Sequence, residues 1–116
     1  MSNDVKINVQ SVVKLLSEGF TDDDLNCDDD PMTAFDYLQD ALDIEYIVAS
    51  DRKTYLGARV LVAFGGPNIW INTRTKTVEG HWWQDSYTEA YTDSIGLDEA
   101  LEELFNCWGL KPWFTR

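Results

Sequence analysis

The chain has 116 residues, 44% of them hydrophobic and 13% aromatic, with a formal net charge of −12 and a sequence pI near 4.2. That length bounds it to one domain, residues 1–116, with a single core, and five Trp, five Tyr and five Phe exclude a disordered acidic tail. No apolar run approaches the ~18 residues of a membrane span, and the opening MSNDVKINVQSVV has neither an apolar h-region nor a cleavage signal. A cytoplasmic protein is therefore expected, with Cys27 and Cys107 as free thiols because they stand far apart without a C-x-x-C partner.

Taken in order, residues 8–18 read as a first helix, with Val9, Val12, Val13, Leu16 and Phe20 at three- and four-residue spacing and Gly19 as its stop. An acidic loop, 21–30, follows. Asp30-Pro31 then reads as a helix start, because Asp caps well and the missing N–H of Pro costs nothing in the first turn. The second helix is expected to run to about Asp43, with Phe35, Leu38 and Leu42 facing in beside Ala34 and Ala41. Its N-terminus attracts Asp28, Asp29 and Asp30 through the helix dipole.

Strands are expected at 44–50, 55–64, 69–71, 78–83 and 87–93, separated by Asp51-Arg52-Lys53-Thr54, Gly65-Gly66-Pro67-Asn68, the polar stretch 73–77 and Gln84-Asp85-Ser86. In 55–64 the residues Leu56, Ala58, Val60, Val62 and Phe64 alternate onto one face. Short loops make hairpins the natural connection. A last helix over about 97–108 sets Leu97, Leu101, Leu104, Phe105 and Trp108 on one side, and Gly109 ends it. The tail 110–116 would lay Trp113 and Phe114 against the body. The order ααβββββα predicts a two-layer α+β domain: an antiparallel meander of four or five strands covered on one face by two N-terminal helices and one C-terminal helix.

Charge is segregated along this layout. Residues 15–51 hold twelve carboxylates (Glu18, Asp22, Asp23, Asp24, Asp28, Asp29, Asp30, Asp36, Asp40, Asp43, Glu45, Asp51) and no Lys or Arg, so this stretch equals the whole net charge of −12. Residues 52–76 carry Arg52, Lys53, Arg59, Arg74 and Lys76 and no acid, whereas 77–110 carry Glu79, Asp85, Glu89, Asp93, Asp98, Glu99, Glu102 and Glu103 and no Lys or Arg. In a meander the first and third hairpin turns share an end, which would gather Arg52, Lys53, Arg74 and Lys76 into a small basic pole. Asp36, Asp40 and Asp43 would share one edge of the second helix, with charges every ~5–6 Å, sparser than the one per about 1.7 Å of duplex DNA; the acidic loop, the second helix and the acidic face of the last helix would together approach that density if they share a surface.

Sites of known chemistry fail on their spacing. An EF-hand begun at Asp22 would need Gly where Cys27 stands and a bidentate Glu where Thr33 stands. One His and two distant Cys do not make a zinc site, and Gly65-Gly66-Pro67 lacks the Lys-Ser/Thr and helix of a phosphate loop. His81 lies on a strand with no evident partner, so an enzyme using His81 and Glu79 is the weakest alternative; Glu79 and Glu89 are expected to face each other across the last hairpin as a surface pair. No catalytic residue, metal or cofactor is assigned. Trp70 and one of Trp82 and Trp83 should meet across the third hairpin while the other points away. An exposed Trp flanked by Tyr87 and Tyr91 would anchor a protein partner, since the negative charge disfavours direct nucleic-acid contact.

A strongly acidic face is either plain solvated surface or a counterpart for a basic groove. In size and charge the chain resembles the DNA-mimicking antirestriction and anti-CRISPR proteins of phages and mobile elements. The resemblance is one of composition, over the whole chain and over 15–51 in particular, with no motif behind it. It implies a basic, nucleic-acid-binding protein as partner. The contacts would come from Asp22, Asp23, Asp24, Asp28, Asp29, Asp30, Asp36, Asp40 and Asp43, with Trp82, Trp83, Tyr87, Glu89 and Tyr91 adding specificity. An immunity protein or antitoxin that neutralises a basic toxin is the alternative on the same physics.

Overall fold

The computed structural model describes residues 2–21, 25 and 29–109. It is an α+β fold: one antiparallel sheet of five strands in the order β1-β2-β3-β4-β5, with helices before and after it in the chain. The strands are β1 (Asp43–Val48), β2 (Tyr55–Ala63), β3 (Asn68–Asn72), β4 (Thr77–Trp82) and β5 (Asp85–Ala90). The helices are α1 (Ser2–Glu18), α2 (Ala34–Gln39) and α3 (Leu97–Leu104), the last continued by a wider turn over Phe105–Gly109. Among the described residues no helix is long and apolar enough to cross a membrane.

The core lies between the sheet and the helices. Cross-strand neighbours share a face, and the row Ile44, Val60, Ile71, Val78 runs across four strands in register. Val60, Ile71 and Val78 in that row are fully buried. Helix α1 begins at Ser2, six residues before the expected start. Val5 and Val9 extend its apolar stripe by one more turn, and both press on Gly80, where a Cβ would stand 2.6 Å from Val9 Cγ2 and 2.9 Å from Val5 Cγ1. Only a residue without a side chain lets the helix approach β4 so closely. Gly19 ends α1 as expected, at φ 89°, with its N–H on the Leu15 carbonyl at 2.9 Å. Helix α3 covers the β1–β2 half of the same face, where Phe105 packs on Tyr46 and Tyr55 with ring centres 5.3 and 5.6 Å away.

Helix α2 departs from expectation at both ends. It starts after Thr33, whose hydroxyl accepts from Asp36 N–H while Asp36 accepts from Thr33 N–H, a complete capping box. This reciprocal pair wins over Asp30-Pro31, and Pro31 instead bridges to Leu25 in extended conformation. The helix stops at Gln39 because Leu42 N–H already bonds the Leu61 carbonyl at 2.8 Å and draws the chain into the sheet. Asp36, Asp40 and Asp43 therefore do not share a helical edge: Asp36 is in the first turn, Asp40 caps the end, and Asp43 opens β1. Ala34 and Leu38 are buried as expected, but Phe35 and Leu42 are exposed.

A second local feature also redirects side chains. The register of β2 on β3 slips between Leu61 and Ala63, so Val62 is an extra residue in a β-bulge. The inward phase passes from Val60 to Ala63, which opposes Ile69, and Phe64 is left 73% exposed. The meander sets the turns around 51–54 and 73–76 at one end of the sheet, as the basic-pole expectation required, and those around 64–67 and 83–84 at the other.

Candidate functional site

The acids of α3 are sorted by its amphipathic period. Leu97, Ala100 and Leu101 are buried, which turns Glu99, Glu102 and Glu103 outward, all three exposed. Gly96, the residue before the helix, supplies no side-chain cap. Asp93 takes that role from outside, accepting the N–H groups of Leu97 and Asp98 at 2.8 and 2.9 Å. Asp98 is turned inward and accepts the Tyr55 hydroxyl at 2.7 Å. Asp93 and Asp98 are thus engaged in holding the helix, and Glu99, Glu102 and Glu103 are left to solvent.

Helix α2 packs beside α3. A hollow of about 410 Å³ lies between them, with Phe35, Ile95 and Ala100 on its walls and Glu99 and Glu103 along it. A second hollow of about 530 Å³ adjoins it through Thr33, Ala34 and Ile95 and reaches Phe20 and Met32. The helical layer thus sets α2, which carries Asp36 and ends at Asp40, beside the helix of the glutamates across nearly sixty residues of sequence. Asp29 and Asp30 are exposed ahead of α2. Asp43 is exposed but belongs to the opposite face of the sheet, in the row of Leu61, Trp70 and Glu79. Asp22, Asp23, Asp24 and Asp28, together with Cys27, Trp113 and Phe114, lie outside the described residues. The α3 glutamates, absent from the expected contact set, were legible in principle from their spacing opposite Leu97 and Leu101.

The expected aromatic face is not assembled. Register places Tyr87 opposite Gly80 and Glu89 opposite Val78, on the side covered by α1. There Tyr87 donates to Glu89 at 2.6 Å, Gln10 reaches Glu89 at 3.4 Å, and Lys6 stands 5.7 Å over the Tyr87 ring. Tyr91 is 6% exposed and belongs to the core. Trp82 packs partly buried on that core. Only Trp83 of the set is presented, 85% exposed in the β4–β5 turn. Trp70 does not meet Trp82; it lies on the open face, under the Arg59 guanidinium at 4.2 Å. Burial pushes the Tyr37 hydroxyl up to about 12. Burial also raises Tyr55 and Tyr91, and the carboxylates of Asp98 for the first and Asp93 and Asp98 for the second add to it.

The open face also holds the Arg59–Glu45 salt bridge at 3.1 Å, and the His81 ring nitrogen stands 3.8 Å from Glu79. Glu79 opposes Thr88, so it is on the opposite face from Glu89 and the expected carboxylate pair does not form. His81 faces Ser86 across the last hairpin, yet its Glu79 contact is too long for a hydrogen bond. Among the described residues no three His, Cys, Asp or Glu side chains converge to hold a metal ion.

No protein-family model matches this chain, and no curated protein or solved structure does either.

Proposed function

We propose that this chain is a small acidic inhibitor that binds a basic, nucleic-acid-binding protein and occupies its groove with carboxylates in place of phosphates. The observation that supports it most is the juxtaposition of α2 and α3 in one layer, drawn from the two stretches of the chain that hold no Lys or Arg.

Charge density is the physical argument. Glu99, Glu102 and Glu103 fall within ~6 Å of helix axis at the standard rise, a mean spacing of about 3 Å per exposed charge. Duplex DNA carries one per about 1.7 Å. Over one helical turn α3 reaches about half the duplex density, and α2 beside it carries Asp36 and ends at Asp40. A groove lined with Lys and Arg, built to release counterions when phosphates arrive, gains in the same way from these carboxylates. The inhibitor would act by competition, with no chemistry of its own.

The test is capture of partners by the tagged chain over a salt series. A nucleic-acid-binding protein retained at low salt and released well below ~1 M, where charges are screened within about 3 Å, supports the reading. A partner that stays bound at that salt contradicts it, and a captured toxin nuclease would make the chain an immunity protein.

A further inference from the structure

The turns around 64–67 and 83–84 meet at one end of the sheet. Phe64, 73% exposed, and Trp83, 85% exposed, are the most exposed large apolar side chains among the described residues. Neither side chain packs on the core. The bulge at Val62 turns Phe64 out of the core side. Trp83 has φ 58° and opens the two-residue loop after Trp82, which pairs with Asp85. That is the first position of a primed hairpin turn, where glycine or asparagine is favoured and a bulky side chain is an outlier.

Between the turns is a hollow of about 360 Å³, lined by Phe64, Gly65, Asn68, His81, Trp82 and Trp83. Its floor is fixed. Trp82 packs on the core, and its ring passes so close to Gly66 that a Cβ there would stand 3.2 Å away. Trp83 stands edge-on to Trp82, with ring centres 5.6 Å apart and planes at 73°. Two indoles at nearly right angles and a phenyl ring thus border one open space. The strands that carry these turns contribute Glu79 and Asp85, and neither 60–73 nor 77–110 contains Lys or Arg.

We propose that this aromatic hollow receives an arginine side chain of a protein partner. The faces of Trp and Phe attract a cation through the ring quadrupole, and a planar guanidinium stacks on an indole while its edge still donates hydrogen bonds, here toward the Asn68 side chain that lines the hollow. The surrounding negative charge favours a cationic occupant over an apolar one. This site rests on the proposed function only in taking the partner to be basic, and it uses none of the α2–α3 carboxylates.

The experiment follows the indole N–H signals of Trp82 and Trp83 by NMR while a short peptide, Ac-Gly-Arg-Gly-Arg-Gly-amide, is added. A twin peptide carries uncharged citrulline in place of arginine. The wild type, Trp83→Gly and the triple variant Glu99→Gln, Glu102→Gln, Glu103→Gln are compared. The arginine peptide should shift both indoles in the wild type and in the triple variant, and the citrulline peptide should bind at least about fivefold more weakly. Trp83→Gly should abolish the Trp82 shift without lowering the melting temperature, because glycine suits the turn. Equal response to citrulline, no response to arginine, a Trp82 shift that survives Trp83→Gly, or one that disappears in the triple variant would each overturn the assignment. So would a dimer in sedimentation that Trp83→Gly dissolves, which would make a second copy the occupant. Because the triple variant alters only the acidic layer, failure of that layer and failure of this hollow register separately.

Discussion

The Tyr55 hydroxyl donates a 2.7 Å hydrogen bond to Asp98, so the first carboxylate of α3 faces the sheet while those that follow face water. Asp98 is in this way part of the scaffold and Glu99, Glu102 and Glu103 are part of the surface. Tyr55→Phe, which keeps the ring against Phe105, should cost about 1 kcal/mol of stability for the lost hydrogen bond. It should leave binding of a basic partner unchanged. Urea unfolding and a binding titration on the same variant check this, and a loss of affinity without a loss of stability would mean that Asp98 belongs to the surface after all.

The surface glutamates should show the opposite behaviour. Glu99 has like charges three and four positions on, at Glu102 and Glu103, each pair costing about 0.2–0.5 kcal/mol. The helix dipole returns part of that to Glu99 in the first turn. The variant Glu99→Gln, Glu102→Gln, Glu103→Gln should therefore melt at the same temperature or a few degrees higher, by roughly 4–8 °C per kcal/mol for a domain of this size. Its association rate with a basic protein should fall about tenfold at low salt. Thermal unfolding and stopped-flow association measure the two effects; a variant that unfolds more easily would show these carboxylates to be structural.

Alkaline stability follows from the buried tyrosines. Tyr37 is pushed up to about 12 by burial, and Tyr55 and Tyr91 are raised by burial and by nearby carboxylates. In the unfolded chain a tyrosine ionises near 10. A proton held more tightly in the folded state contributes stability that is full below pH ~10 and is lost as pH rises from there through 12. Phenolate absorbance near 295 nm should rise together with loss of far-ultraviolet circular dichroism above pH 10. Smooth ionisation near pH 10 with the dichroism unchanged would contradict the burial of these rings.

The close approach of α1 to the sheet is equally testable. Gly80→Ala puts a methyl group 2.6 Å from Val9 and 2.9 Å from Val5. The helix must shift, at a cost of about 1–3 kcal/mol. Gly80→Ala combined with Val9→Ala should recover part of that loss. A fully additive loss in denaturant unfolding would place the helix elsewhere.

Alternation and turn residues made the five strands and their hairpin connections legible in the sequence, and the stripe through Val9, Val12, Val13 and Leu16 did the same for α1. What escaped depended on competition or on distant partners. Asp30-Pro31 and Thr33 with Asp36 are both good helix starts, three residues apart, and only reciprocal capping decides between them. In and just after β5 the set Tyr87, Glu89, Tyr91 looks like a polar outer face, yet α1 covers β5 and Tyr87, Gln10 and Lys6 occupy its polar groups. The bulge at Val62 left no local signal, so Phe64 was expected inside. That α2 and α3 lie side by side is a matter of packing across the fold, which spacing along the chain does not encode.

The most direct test of the central claim is displacement of nucleic acid. A nucleic-acid-binding protein captured by the tagged chain is loaded with a fluorescent duplex, and the chain is titrated in at low salt while anisotropy is followed. The wild type should release the duplex competitively, with a midpoint that rises in proportion to the duplex concentration, and the Glu99, Glu102, Glu103 triple glutamine variant should need about tenfold more protein. Duplex that stays bound while the chain is bound, or release by the triple variant at the wild-type midpoint, would contradict it.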